Sequence, residues 1–206
     1  MTRLTTEQAR ERVAAALQAA GATHAMAAAT ARALVLAEAQ GLGSHGLSRV
    51  ARWNGQTIGA HAFSVAQHSL IVEEICRKLA PEWDKKRRMM ALLHDAPEYV
   101  IGDMISPFKA ALGLDYKAFE AKLEAAIHLR FGLPVHAPAV VKGVIKRADI
   151  ICAYFEAIQL AGFTEAEAKR YFGSPPRGMK LKLTPKPTGE VQEAFVKRFR
   201  SLLDPA

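Results

Sequence analysis

Two cysteines in 206 residues, Cys76 and Cys152, are too few and too far apart for a disulfide framework, and neither sits in a CxxC pair of the kind that builds a zinc knuckle. Both fall in apolar stretches with helical spacing, so they read as small core residues of a reducing compartment. Long hydrophobic runs are missing as well. The most apolar early stretch, Ala25 to Ala39, is broken by Arg32 and Glu38, and nothing approaches the ~20 residues a membrane helix needs. The opening MTRLTTEQAR has no apolar core of signal-peptide length, and the expected location is the cytoplasm. Strand-like alternation is nearly absent. Half of the chain is nevertheless hydrophobic and 23% is charged, which excludes a disordered tail, a collagen-like fibre and a disulfide-stapled mini-domain. Acidic groups are the scarcer charge: 20 Asp and Glu against 28 Lys and Arg leave +8, and residues 142–206 alone hold 12 basic and 7 acidic side chains. That balance suits an anionic ligand without naming one, and phosphate esters, nucleic acid and plain solvation all stay open.

Almost every readable segment repeats its apolar residues at helical spacing, and the expected fold is all-α. A first helix opens at Thr5, with Gln8 placed for a capping box, and stops at Gly21. A second runs from about Thr23 to Gln40 and ends in the glycine-punctuated turn 41–46. After a short basic turn, Arg49 to Trp53, the pattern predicts helices over 64–80, 84–96, 115–130, 138–161, 164–172 and 189–203. Gly132 and Gly162 act as stops, and Thr164 with Glu167 repeats the capping box. Residues 173–189 carry four prolines and read as a long basic loop.

Chemistry concentrates where polar residues intrude on apolar faces. On the helix 64–80, Val65, Val72, Ile75 and Leu79 form a stripe, and His68 lies inside it. A buried imidazole needs a partner, because an unsatisfied polar group costs ~1–3 kcal/mol. The next helix is apolar almost all round yet ends in His94-Asp95, and on the helix 138–161 Asp149 sits at the edge of the face formed by Ile145, Ala148, Cys152 and Phe155. Two histidines and two carboxylates directed inward from three helices suit a divalent metal of the Mn-to-Zn range; a buried structural polar network is the alternative.

The pattern His68, His94-Asp95, Asp149 resembles the H…HD…D signature of HD-domain metal-dependent phosphohydrolases. Gln67-His68-Ser69, then His94-Asp95-Ala96-Pro97-Glu98 with Gly102-Asp103, Pro107 and Lys109, then Ile145 to Asp149 with Cys152-Ala153-Tyr154, are similar to the motifs of the bacterial HD-domain 5′-deoxynucleotidase subgroup. Arg52-Trp53, fifteen residues before His68, stands where that subgroup carries a nucleotide-contacting Arg-Trp pair. The resemblance covers roughly residues 46–170. It implies one divalent ion (Co, Mn, Zn, Ni, Fe or Mg) held by His68, His94, Asp95 and Asp149. It also implies Glu98 and Asp103 as catalytic carboxylates, with Arg52, Trp53, Lys146 and His61 at the substrate. Each has an ordinary alternative: a charge at a helix start for Glu98, an Asx-turn for Asp103, a core tryptophan for Trp53, and an ion-pair partner of Asp149 for Lys146. Pro97 departs from a smooth helix, because it disfavours a helical Ala96. His128 and His136 follow Asp95 by 33 and 41 residues, which invites comparison with dinuclear HD sites, but no fuller histidine set accompanies them.

Residues 1–50 resemble something else. Ala33-Leu34-Val35, Glu38, Gly41 and Ser44-His45-Gly46-Leu47 look like the N-terminal part of the malate/L-lactate dehydrogenase family, and the likeness stops near Val50, before any nicotinamide domain. The expected organisation is an N-terminal helical hairpin over 1–45, packed on the domain or making a contact between two copies, and an HD-domain phosphohydrolase over 46–206. The activity implied is hydrolysis of deoxyribonucleoside 5′-monophosphates to nucleoside and phosphate. The alternatives are a dNTP triphosphohydrolase releasing tripolyphosphate and a non-catalytic helical protein that binds nucleotides or nucleic acid. The partner expected is a small nucleotide, with no membrane and with nucleic acid disfavoured.

Overall fold

The computed structural model describes residues 52–55, 58–98 and 116–203, together with positions 5, 7, 8, 11, 14, 15 and 18. A 3₁₀ turn at Arg52–Gly55 leads into α1 (Val65–Leu79), α2 (Lys85–Leu92), α3 (Tyr116–Arg130), α4 (Ala139–Gln159), α5 (Glu165–Phe172) and α6 (Thr188–Leu203). No strand occurs among the described residues, and the fold is all-α, as expected. No described helix is long and apolar enough to cross a membrane.

Local chemistry starts these helices where the sequence places polar oxygens. Ser64 caps α1 by accepting from the Gln67 amide, and Asp84 caps α2 by accepting from Arg87 N at 2.8 Å. Thr164 and Glu167 close a reciprocal capping box on α5. At the N-terminus, Gln8 N donates to Thr5 Oγ1 (3.2 Å) and Thr5 N donates to Gln8 Oε1 (3.0 Å), the box expected there. The helix expected over 23–40 lies outside the described residues.

The core gathers on α1 and α4, which pack against each other, with α2 and α6 closing over α1 and α5 over α4. Phe63, Val65, Val72, Ile75 and Cys76 meet Met89, Leu92, Val141, Ala148 and Cys152, all buried. Each large aliphatic contributes ~1.5–3 kcal/mol by leaving water. Buried Glu73 of α1 ties three helices, because Arg88 of α2 donates to it at 2.8 Å and Arg198 of α6 at 3.0 and 2.6 Å. Glu73→Ala strands two partly buried guanidinium groups and should lower the unfolding free energy by about 3 kcal/mol, read from urea denaturation. A loss near zero would mean that water replaces the carboxylate without cost.

Residues 173–187 form the expected long loop. Two side-chain amides serve its backbone in place of a neighbouring strand. Gln67 donates to Thr184 O (2.7 Å) and accepts from Lys186 N (3.1 Å). Gln159 does the same with Leu181 O (2.9 Å) and Leu183 N (2.9 Å). These bonds satisfy the loop's polar groups while Leu183 stays buried.

One boundary differs from the sequence expectation. The helix expected over 84–96 ends at Leu92, with Leu93 as C-cap. Tight bonds follow, from Ala96 N to Leu93 O (2.9 Å) and from Glu98 N to Asp95 O (3.0 Å). Pro97 is the cause, since it disfavours a helical Ala96 and brings no N–H of its own. His94 and Asp95 therefore sit in a turn just beyond the helix.

Candidate metal centre

His68 is fully buried on the core face of α1, as its stripe required. Its Nδ1 lies 2.6 Å from Glu156 Oε1, and its Nε2 faces three other groups: His94 Nε2 at 3.3 Å, Asp95 Oδ2 at 3.4 Å and Asp149 Oδ1 at 3.4 Å. His94 Nε2 is also 3.3 Å from Asp95 Oδ2. The turn after α2, together with α4, thus brings three donor atoms to within 3.4 Å of His68 Nε2 on α1.

Tautomers decide what that convergence means. His94 Nδ1 lies 2.9 Å from Ala91 O, and a carbonyl only accepts, so Nδ1 carries the hydrogen and Nε2 a lone pair. Burial chiefly lowers the pKa of His94, so its ring stays neutral. Glu156 fixes the same tautomer on His68. His68 Nε2 then has the His94 Nε2 lone pair and one oxygen each of Asp95 and Asp149 at 3.3–3.4 Å, an arrangement that needs positive charge at its centre, from a proton on His68 or from a metal ion. Ligand atoms around a first-row divalent ion with bonds of about 2.0–2.2 Å fall at such spacings. His68, His94 and Asp149 lie close enough together to hold one divalent ion of the Mn-to-Zn range, with Asp95 beside the two histidines.

The electrostatics agree. Burial and Arg52 push the His68 pKa down, but Glu156, Cys152 and Asp149 outweigh them and hold it well above its ordinary value. Burial opposes ionisation of Asp149, yet hydrogen bonding and charge from His68, His94 and Lys146 hold its carboxyl far below the usual range. Such a site demands positive charge, from a proton or from a metal that displaces it. A second cluster of candidate ligand atoms, His68, Cys152 and Glu156, is already closed by internal hydrogen bonds. Its thiol stays protonated because burial pushes Cys152 up to about 12. Cys76 is likewise pushed to about 12, and both thiols are buried and unreactive.

A cavity of about 350 Å³ opens on this group through His94, Asp95 and Asp149. Glu124 and His128 of α3 and Lys142 and Lys146 of α4 line it further out. Lys146, mostly exposed, contacts Asp149 Oδ2 at 2.9 Å, so its ordinary role as ion-pair partner is present and its head group borders the cavity. Arg52 does not line this cavity. It donates from Nε to Glu156 (3.0 Å) and from Nη1 to Asp95 Oδ2 (3.3 Å), which places the guanidinium beside a ligand oxygen. Trp53 does not line it either, since its indole donates to Glu156 Oε2 at 2.8 Å and packs edge-on against Phe163 and Phe172. His61 is exposed in the segment before α1 and is not part of the cavity wall. Glu98 is buried one turn beyond Asp95. Asp103 lies outside the described residues. His128 is buried with Nδ1 on Pro134 O at 2.8 Å, and His136 is exposed.

Sequence reasoning missed Glu156. It stands seven residues, two helical turns, after Asp149 on the same apolar helix, and a carboxylate at that register in a buried stripe was the available signal.

A profile of the YfbR-like 5′-deoxynucleotidases matches residues 45–199. The chain belongs to that family. A relative in Rhodobacter capsulatus, itself uncharacterised, is 54% identical over 164 residues, 78% of this chain and 83% of that protein. The uncharacterised protein YfdR of Escherichia coli is 31% identical over 156 residues, 76% of this chain and 79% of its own. The HD-domain phosphohydrolase class and its dependence on a metal come with membership of the YfbR-like family, and the structure brings His68, His94 and Asp149 together as a group that could hold a metal, with Asp95 beside the two histidines. The dehydrogenase likeness of residues 1–50 has no such support: the YfbR-like match begins at residue 45, and His45 lies outside the described residues. The expected contact between two copies has no support either.

Proposed function

We propose that this YfbR-like protein hydrolyses deoxyribonucleoside 5′-monophosphates to nucleoside and phosphate. The observation that carries the reading is the meeting of four cation-seeking donor atoms at the mouth of a cavity large enough for a small ligand. A divalent ion on His68, His94, Asp95 and Asp149 supplies, when bound, an acidified water and charge withdrawal from a phosphoryl oxygen.

The chain's own groups do the rest. Arg52, held beside Asp95, meets a phosphate arriving at the ligand group with a planar pair of donors. Lys146, anchored on Asp149, swings a second positive charge over the same entrance. Glu98 takes the proton of the attacking water, and Asp103 assists at the substrate. The nucleoside occupies the cavity toward Glu124 and His128. Because Trp53 gives its N–H to Glu156 and packs on Phe163 and Phe172, its assigned part here is to support the site rather than to read the sugar.

The experiment is a panel of ribo- and deoxynucleoside mono- and triphosphates with several divalent metals, resolving phosphate, pyrophosphate and tripolyphosphate. Phosphate from the deoxymonophosphates is expected. Tripolyphosphate as the product would replace this reading with the triphosphohydrolase. Salt-dependent binding of nucleic acid without turnover would replace it with the non-catalytic protein.

A further inference from the structure

We propose that Glu156 is a positioning residue that locks the metal ligand His68 and the substrate clamp Arg52 into one fixed relation, each through its own carboxylate oxygen. Oε1 accepts from His68 Nδ1 at 2.6 Å and from the Cys152 thiol at 3.2 Å. Oε2 accepts from Trp53 Nε1 at 2.8 Å and from Arg52 Nε at 3.0 Å. A carboxylate has about four lone-pair sites, and these four donors, drawn from α1, α4 and the 3₁₀ turn, use all of them. The side chain is fully buried. Burial opposes its charge, but His68 and Arg52, with hydrogen bonds from His68 and Trp53, keep the carboxyl well below the usual carboxylate range.

Two further observations separate this arrangement from a merely stabilising buried ion pair. Trp53 has φ +56°, a left-handed backbone that side-chain-bearing residues rarely adopt, and its indole N–H is bound to Glu156. The same guanidinium that Glu156 grips by Nε reaches Asp95 by Nη1, so one end of Arg52 is fixed while the other stands beside the ligand group. Glu156 therefore orients the His68 ring toward the metal and aims Arg52 at whatever binds there.

Glu156→Gln tests this with the shape preserved. An amide offers one accepting oxygen and an NH₂ that must face either the His68–Cys152 pair or the Arg52–Trp53 pair, and in both cases donor meets donor. Co²⁺ affinity, measured by competition with a chelator, should fall about 10- to 100-fold. At saturating metal the KM for a deoxynucleoside monophosphate should rise roughly tenfold. Arg52→Ala should raise KM as well, and the double variant should be no worse than the poorer single one, because both act through one contact. Unchanged Co²⁺ affinity, unchanged KM, or additive KM effects would each overturn the proposal. If Glu156→Gln does not fold, the wild-type protein decides. A strongly downfield, slowly exchanging His68 Nδ1 proton should be present in its NMR spectrum and persist when Zn²⁺ is bound, and its absence overturns the His68 half. Only the KM arm rests on the phosphohydrolase reading. A wild-type protein that hydrolyses no nucleotide would end that reading and leave the Co²⁺ and NMR arms to judge this one.

Discussion

His94→Ala should deprive the protein of its divalent metal and lower nucleotide hydrolysis by about 10³-fold or more. His94 presents a neutral Nε2 lone pair to the group, fixed by the Nδ1 bond to Ala91 O. A Lewis acid at a phosphoryl oxygen is worth several kcal/mol of transition-state stabilisation, and about 1.4 kcal/mol corresponds to a tenfold change in rate. Losing the ion therefore costs several powers of ten. Elemental analysis of the purified variant should show far less than one equivalent of metal, while circular dichroism shows the helical fold intact, since His94 is at the edge of the core and not within it. A variant that retains one equivalent of metal and full turnover would remove His94 from the ligand set.

Glu98→Gln should leave the metal in place and lower kcat by ~10²–10⁴-fold, the range for loss of a general base. The tight turn forced by Pro97 brings Glu98 back within one turn of Asp95, with its backbone N–H on Asp95 O at 3.0 Å and its side chain buried. Glutamine matches glutamate in size and keeps an acceptor but cannot take a proton, so binding and folding stay while the proton step fails. Metal content and KM close to wild type with a collapsed kcat is the expected signature. Unchanged kcat would return Glu98 to a structural part in the turn.

These two variants also mark where sequence was a sufficient guide. The apolar period placed five of the six described helices to within two residues at either end, and the capping oxygens of Ser64, Asp84 and Thr164 start helices where their side chains can accept from a nearby amide. His68 in an apolar stripe, and Asp149 at the edge of another, already pointed inward, because helical spacing decides which face a residue shares. The end of α2 was harder. The apolar pattern of Met89 to Leu93 continues into Ala96, and only the backbone restriction before Pro97 outweighs it, which moves His94 and Asp95 from a helix onto a turn.

What the sequence determined by itself was the material of the site: helical stretches, their caps, an inward-facing His and Asp set, and a basic surplus suited to an anionic ligand. Periodicity and capping are local, acting over three or four residues, so they are legible along the chain. Tertiary structure decided which groups meet. Glu156 joins Arg52, Trp53 and His68 across 104, 103 and 88 positions, and Gln67 joins the loop at Thr184 across 117. A helix face records that a polar side chain is buried, but its partner is chosen by how α1, α4 and the connecting loop pack, and only after that packing do the His and Asp side chains converge on a point that calls for positive charge.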